Sequence, residues 1–321
     1  MKTRVTKILG IQYPIVQGGL AYLAYADLAA AVSNAGGLGQ ITAMSLKDPE
    51  KLRNEIRKIR TLTNKPFGVN FAIGRQYEES YADLLEVAIE EKVPVISITG
   101  ANPTPIFERL KDENIRTLVL VANTRQAQKA EKLGADAVMA VGNEGGGHLG
   151  LDEVGTMVLI PRVVESVSIP VLASGGIGDA RGFLAALSLG AEGIEMGTRF
   201  IATKECVHAG DVYKNAIIEA NETDTVIIKK SLRSPGRVLR SDYTEQIIAR
   251  EKAGETYEDL REVISGKANC SYIYEGNEKE GFGWAGQVIG LINDIPTVKE
   301  LIDEIVTGAE KGNKRLNQMF D

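Results

Sequence analysis

The chain is poor in the residues that most often announce chemistry: its 321 residues hold two cysteines, two histidines and one tryptophan. Cys206 and Cys270 cannot build a disulfide framework, and Cys206-Val207-His208 offers two potential ligands where a zinc site wants three or four. No metal site is expected. Long apolar runs are also missing. None approaches the roughly 18 to 20 residues that cross a bilayer, and the opening Met-Lys-Thr-Arg has no apolar core of signal-peptide length. A cytoplasmic protein with no membrane partner is expected. Positive charge is in deficit, with 37 Lys and Arg against 43 Asp and Glu and a net charge of −6. Such a field repels phosphate backbones, so nucleic acid is not an expected partner. Internal repeats and low-complexity segments are absent from the sequence.

What is present is apolar and rhythmic. Hydrophobic residues make up 44% of the chain, enough for a large core. Eight short apolar runs fall at Ile15 to Gln17, Leu38 to Thr42, Phe67 to Phe71, Val95 to Thr99, Thr117 to Ala122, Ala137 to Val141, Val171 to Ser174 and Ile194 to Met196. Amphipathic stretches separate them, at 26–35, 49–61, 78–90, 105–112, 125–133, 157–164 and 180–189. Runs of this length alternating with helical patterns predict parallel strands joined by crossover helices. Eight strands make that a (β/α)8 TIM barrel, an α/β fold whose active site lies at the C-terminal ends of the strands. After Phe200 the rhythm breaks. Residues 205–280 read as a mainly helical insertion after strand 8, a lid or substrate domain with helices expected at 209–219, 243–252 and 257–264. Residues 1–204 are then the barrel, and 281–321 the segment that completes it with a last helix from about Val298.

The glycines cluster where such a barrel works. Gly145-Gly-Gly-His-Leu-Gly150 places His148 in a glycine-rich loop just after the sixth strand. Glycines remove the side chains that keep a planar ligand from the backbone, and a histidine there can move a proton near neutral pH. A lone loop histidine is as simply read as a residue that hydrogen-bonds the backbone. Ser174-Gly-Gly-Ile177 follows the seventh strand and Met196-Gly-Thr-Arg199 ends the eighth. Loops after strands seven and eight commonly hold a phosphate on backbone N–H groups, so Ser174, Gly175, Gly176, Gly197 and Thr198 are candidate phosphate ligands. Asp179 fits the N-cap of the next helix better than an anion site. Gly19, Leu20 and Ala21 after strand one can lie against a ring, and the Asn70 amide at strand three can reach ring carbonyl or nitrogen atoms. A phosphate at one side of the mouth and open positions at the other suit a flat phosphorylated cofactor, with flavin mononucleotide (FMN) the natural candidate.

These motifs also carry a resemblance. Tyr13-Pro-Ile-Val-Gln-Gly-Gly-Leu20, Ala35-Gly-Gly-Leu-Gly39, Lys65-Pro-Phe-Gly-Val-Asn70, Glu144-Gly-Gly-Gly-His-Leu-Gly150, Ala173-Ser-Gly-Gly-Ile177 and Met196-Gly-Thr-Arg-Phe200 resemble, in order through almost the whole chain, the nitronate monooxygenase (2-nitropropane dioxygenase) family. The resemblance implies an FMN-binding barrel, with Gly147 beside His148 among the cofactor residues and His148 as the catalytic residue. It further implies oxidation of alkyl nitronates with O2, His148 acting as base toward a neutral nitroalkane or as donor to the nitro oxygens of a nitronate. The family includes NAD(P)H:quinone reductases and flavin-dependent enoyl-acyl-carrier-protein reductases, which remain alternatives. The glycine-histidine pair expected of enoyl reductases in the lid is absent, and Trp284 stands where they usually carry Met or another non-aromatic residue. No cysteine follows strand six, so the thiol chemistry of the related inosine-monophosphate dehydrogenase barrels is not expected. Residues 229–240 hold five basic side chains and no acidic one. They read either as a solvated face or as a docking site for the phosphates of NAD(P)H as electron donor. A homodimer is an assembly this reading allows.

Overall fold

The computed structural model describes residues 1–74 and 81–320. The start of the helix expected at 78–90 lies outside the described residues. Eight parallel strands form the central sheet: β1 (Ile15–Gln17), β2 (Gly39–Thr42), β3 (Phe67–Ile73), β4 (Val95–Gly100), β5 (Arg116–Val121), β6 (Ala137–Val141), then β8 (Val171–Ser174) and β9 (Gly193–Met196). The short β7 (Gly147–His148) intervenes. The order β1-β9-β8-β6-β5-β4-β3-β2 is that of a barrel, and a parallel bridge between Val16 and Leu38 closes β1 on β2. The expected barrel is therefore the observed one.

Local chemistry explains why the strands start where they do. Gly134 and Gly190 follow the helices Thr124–Leu133 and Ala180–Ser188 with φ of 96° and 93°, a left-handed conformation that stops a helix and costs glycine little. The next strand follows within three residues in each case. The N-terminal helix Arg4–Leu9, which the sequence pattern did not suggest, buries Val5 and Leu9 against Val16, Leu38, Val95, Leu118 and Met139. That plug closes the barrel at the end opposite the site. The final helix Val298–Asn317 buries Val298, Leu301, Ile302, Ile305 and Val306 in the main core.

Residues 205–280 are less helical than their composition suggests. Helices lie at Asp211–Glu219, Asp242–Lys252, Tyr257–Leu260 and Gly266–Glu275, but β10 (Thr225–Ile228) and β11 (Gly236–Leu239) form an antiparallel hairpin. β11 also pairs with β7, Gly236 opposite His148 and Arg237 opposite Gly147. A sheet this small is marginal alone. Val226, Ile228, Val238, Ile247, Ala268 and Phe282 give it a core of its own, with Trp284 packed against it. No helix among the described residues is long and apolar enough to cross a membrane.

Candidate active site

At the C-terminal ends of the strands lies a cavity whose wall includes Gly19, Leu20, Ala21, Asn70, Gly147, His148, Ser174, Gly175, Gly176, Gly197 and Thr198. The barrel thus brings together in one place His148 and every residue that the sequence offered as a candidate for the flavin, while none of the basic residues of 229–240 is on this wall. Tyr213, Asn269, Ile273, Trp284, Gly286 and Val288 line the same cavity from the segments that follow β9.

The glycine-rich loop is fixed from several sides. Glu144 accepts from the Thr156 backbone N–H at 3.0 and 2.9 Å and from its hydroxyl at 3.0 Å, so both carboxylate oxygens start the helix Thr156–Val164. The Thr156 hydroxyl also reaches the Gly175 carbonyl at 2.9 Å, tying this loop to the one after β8. Gln287 N–H donates to the Glu144 carbonyl at 2.9 Å. A Cβ on Gly146 would fall 2.6 Å from the Gly286 nitrogen, so only glycine lets these two backbones meet.

Arg237 supplies a further clamp. Its buried guanidinium donates to the Asn143 carbonyl at 3.2 and 2.9 Å and to the Thr225 hydroxyl at 3.0 Å. Burial pulls its pKa down. The basic run at 229–240 is accordingly divided: Lys230 pairs with Glu153, Arg240 with Glu245, Arg237 is structural, and Arg233 is exposed. Arg237 is therefore not free to meet a nicotinamide phosphate.

Lys229 turns inward. It has φ of 63° and is 7% exposed. Its backbone N–H donates to Glu251 at 2.8 Å, and the hydroxyl and N–H of Ser231 hold the other oxygen of that carboxylate. This carboxylate holds a turn whose left-handed residue would cost about 1–2 kcal/mol unsupported. The Lys229 Nζ lies 3.0 Å from His148 Nε2 and 4.8 Å from the centre of the Trp284 ring. His148 and Trp284 are themselves 5.2 Å apart, tilted by 36°. His148 is exposed on the cavity wall, where the protein enclosing the cavity still desolvates the ring. This desolvation, with the lysine charge second, lowers the His148 pKa to about 3. Desolvation likewise lowers Lys229 to about 8, opposed by Glu251. A neutral imidazole beside a cation is a hydrogen-bonding group at neutral pH and a weak base.

A second titratable group sits on the cavity wall. Glu195 of β9 is hydrogen-bonded through Oε2 to the Ser174 hydroxyl, and its Oε1 lies against Gly18. Burial raises its pKa, and the Ser174 bond opposes this. The Ser174 hydroxyl is therefore engaged by a carboxyl group and has less to give a phosphate than the sequence suggested. An acidic residue inside the apolar run Gly193–Met196 was the visible signal. Lys229 had a fainter one, as the first cation after the apolar Thr225–Ile228.

The arrangement fits a planar phosphorylated ligand. Gly175 and Gly176 have φ of 88° and 74°, turning successive backbone groups in a way that suits an anion. Asp179 caps the following helix through the N–H groups of Arg181 and Gly182, at 2.9 and 3.0 Å. Two buried polar atoms on the wall, Thr42 Oγ1 and Asn269 Oδ1, lack partners among the described residues. Asn70 donates to Ser97 at 2.9 Å while its Oδ1 lies close to Gly19. Among the described residues, no group of three or more His, Cys, Asp or Glu is placed to hold a metal ion.

The chain is similar to known proteins over nearly its whole length. The family profile described as Nitronate monooxygenase matches residues 2–308. The structure of FabK from Thermotoga maritima superposes with a TM-score of 0.94 at 40% identity, covering 99% of each chain. A probable nitronate monooxygenase of Staphylococcus aureus is 34% identical over 89% of this chain and 91% of its own. The (3aS,4S,5R,7aS)-5-hydroxy-7a-methyl-1-oxo-octahydro-1H-indene-4-carboxyl-CoA dehydrogenase of Rhodococcus jostii is 33% identical over 97% and 96%.

Proposed function

The chain belongs to the nitronate monooxygenase family, and from that premise we propose that it is an FMN-dependent oxidoreductase that oxidises small alkyl nitronates with O2. One observation carries the choice of substrate: a buried cation held 3.0 Å from His148, with Trp284 closing the same wall. A hydrogen-bond donor backed by positive charge suits an anion, and an indole wall suits a small one.

Gly175, Gly176, Gly197 and Thr198 would hold the FMN phosphate through backbone N–H groups and one hydroxyl, and Gly19, Leu20, Ala21, Asn70 and Gly147 would lie along the ring system. Bound there, the flavin supplies the redox chemistry. The protein's part is orientation and electrostatics. His148 donates to the nitro oxygens of the nitronate and holds the substrate in place. Trp284 and Tyr213 limit its size.

A second reading is NAD(P)H-driven reduction of a double bond conjugated to a thioester. The 40% identity to FabK, an enoyl-ACP reductase, favours it. The same donor would then serve the thioester carbonyl. Quinone reduction by NAD(P)H has no separate observation behind it. Anaerobic mixing of the FMN-loaded protein with ethylnitronate, NADH or NADPH separates these readings, because only the true donor bleaches the flavin absorbance quickly.

A further inference from the structure

We infer that Lys229 is a positioning residue that fixes the tautomer of His148, so that the imidazole presents an N–H to the cavity while the lysine is charged and a lone pair once it is not. The catalytic consequence rests on the nitronate reading above; the tautomer assignment does not.

The geometry is specific about which nitrogen does what. Lys229 approaches Nε2, and Lys229 is not itself on the cavity wall. His148 is on that wall, and its Nδ1 has no hydrogen-bond partner among the described residues. An ammonium has donors only, so Nε2 must accept, and the single proton of the neutral ring sits on Nδ1. When the ammonium gives a proton to solvent, the amine gains a lone pair. The ring proton can then move to Nε2 and point at the amine, leaving a lone pair on Nδ1. The first state binds an anion such as a nitronate; the second can take a proton from a neutral nitroalkane.

The surroundings place the change in an accessible range. Among the described residues, two charged or titratable groups face Lys229: His148 from β7, and Glu251 from the helix Asp242–Lys252, which holds its backbone N–H. Trp284 offers an aromatic face and no charge, and the neighbouring Lys230 is turned to Glu153. Burial outweighs Glu251 and brings the lysine to about 8, while His148 stays unprotonated through the whole neutral range.

The chain has two histidines, His148 and His208, which makes the test clean. The FMN-loaded full-length protein, labelled with 15N-histidine, is followed by NMR from pH 6.5 to 9.5, with His208→Gln giving the assignment. His148 should pass from the Nδ1–H to the Nε2–H form with a midpoint near 8. Lys229→Met should abolish that transition, and Lys229→Arg, charged throughout, should hold the Nδ1–H form. Retained flavin absorbance reports that both variants fold. In parallel, the ratio of rates on ethylnitronate and nitroethane should fall at least about tenfold from pH 7 to 9 in the wild type and stay flat in Lys229→Met, since each pH unit beyond the midpoint removes tenfold of the charged form. A tautomer that ignores pH, or one that shifts identically in Lys229→Met, overturns the inference. A normal transition in a protein whose flavin ignores both nitro substrates leaves the tautomer assignment standing and rejects the nitronate reading.

Discussion

Replacing Arg237 by methionine distinguishes a structural clamp from a cofactor-docking residue. Methionine keeps most of the buried apolar volume and removes the guanidinium that serves two acceptors, the Asn143 carbonyl and the Thr225 hydroxyl. Hydrogen bonds to charged groups contribute roughly 1.5–3 kcal/mol each, and the guanidinium's own desolvation, visible in its lowered pKa, offsets part of that. The net expectation is a loss of roughly 2–4 kcal/mol of stability. The consequence is also local, because Asn143 opens the loop that carries Gly147 and His148. In urea, the midpoint should fall by about 1 M with a nearly unchanged slope. His148 should also lose its fixed position, with turnover reduced for every donor and acceptor alike. An Arg237→Met protein as stable as the wild type, impaired only in its Michaelis constant for NADH or NADPH, would refute the clamp and restore the docking role.

Two further outcomes follow from the cavity wall. Gly176→Asp should fold but lose FMN, read as the flavin-to-protein absorbance ratio. The new side chain is strained at φ of 74°, meets Glu144 Cβ at 3.2 Å and sets a carboxylate at the proposed phosphate site; stoichiometric FMN would show that assignment to be wrong. Glu195→Gln should stabilise the protein increasingly as pH rises from 5 to 8. The folded state raises the Glu195 pKa above its ordinary 4.5, so it retains a proton that the unfolded chain releases, and wild-type stability drains away upward from that value. A difference in urea midpoint that does not grow with pH would mean that Glu195 ionises freely.

The barrel was legible because its evidence is local. Each strand is a short Val- and Ile-rich run, each crossover helix is amphipathic, and glycines such as Gly134 and Gly190 punctuate the junctions. The cavity residues could be placed because a barrel puts the ends of its strands at one mouth, whatever their separation in sequence. The lid was harder. β10 and β11 are four residues each, and the pairing that matters joins Gly236 to His148 across 88 positions, for which no local pattern exists. The helix Gly266–Glu275 did carry signals at both ends, Ser265 as N-cap and Gly276 at φ of 69°, but its weak amphipathicity concealed it. Lys229 read as one member of a basic run, and only the hairpin turns it inward while Lys230 and Arg240 face their acidic partners.

On the nitronate reading, this cavity holds a flavin that takes electrons from a small anion. Stopped-flow mixing of the FMN-loaded protein with ethylnitronate in the absence of O2 tests it most directly. Rapid bleaching of the flavin absorbance, recovery when air is admitted, and slow or no bleaching by NADH and NADPH are expected. A flavin that ignores ethylnitronate, is bleached by either nicotinamide and recovers with an enoyl thioester would contradict it and establish the reductase instead.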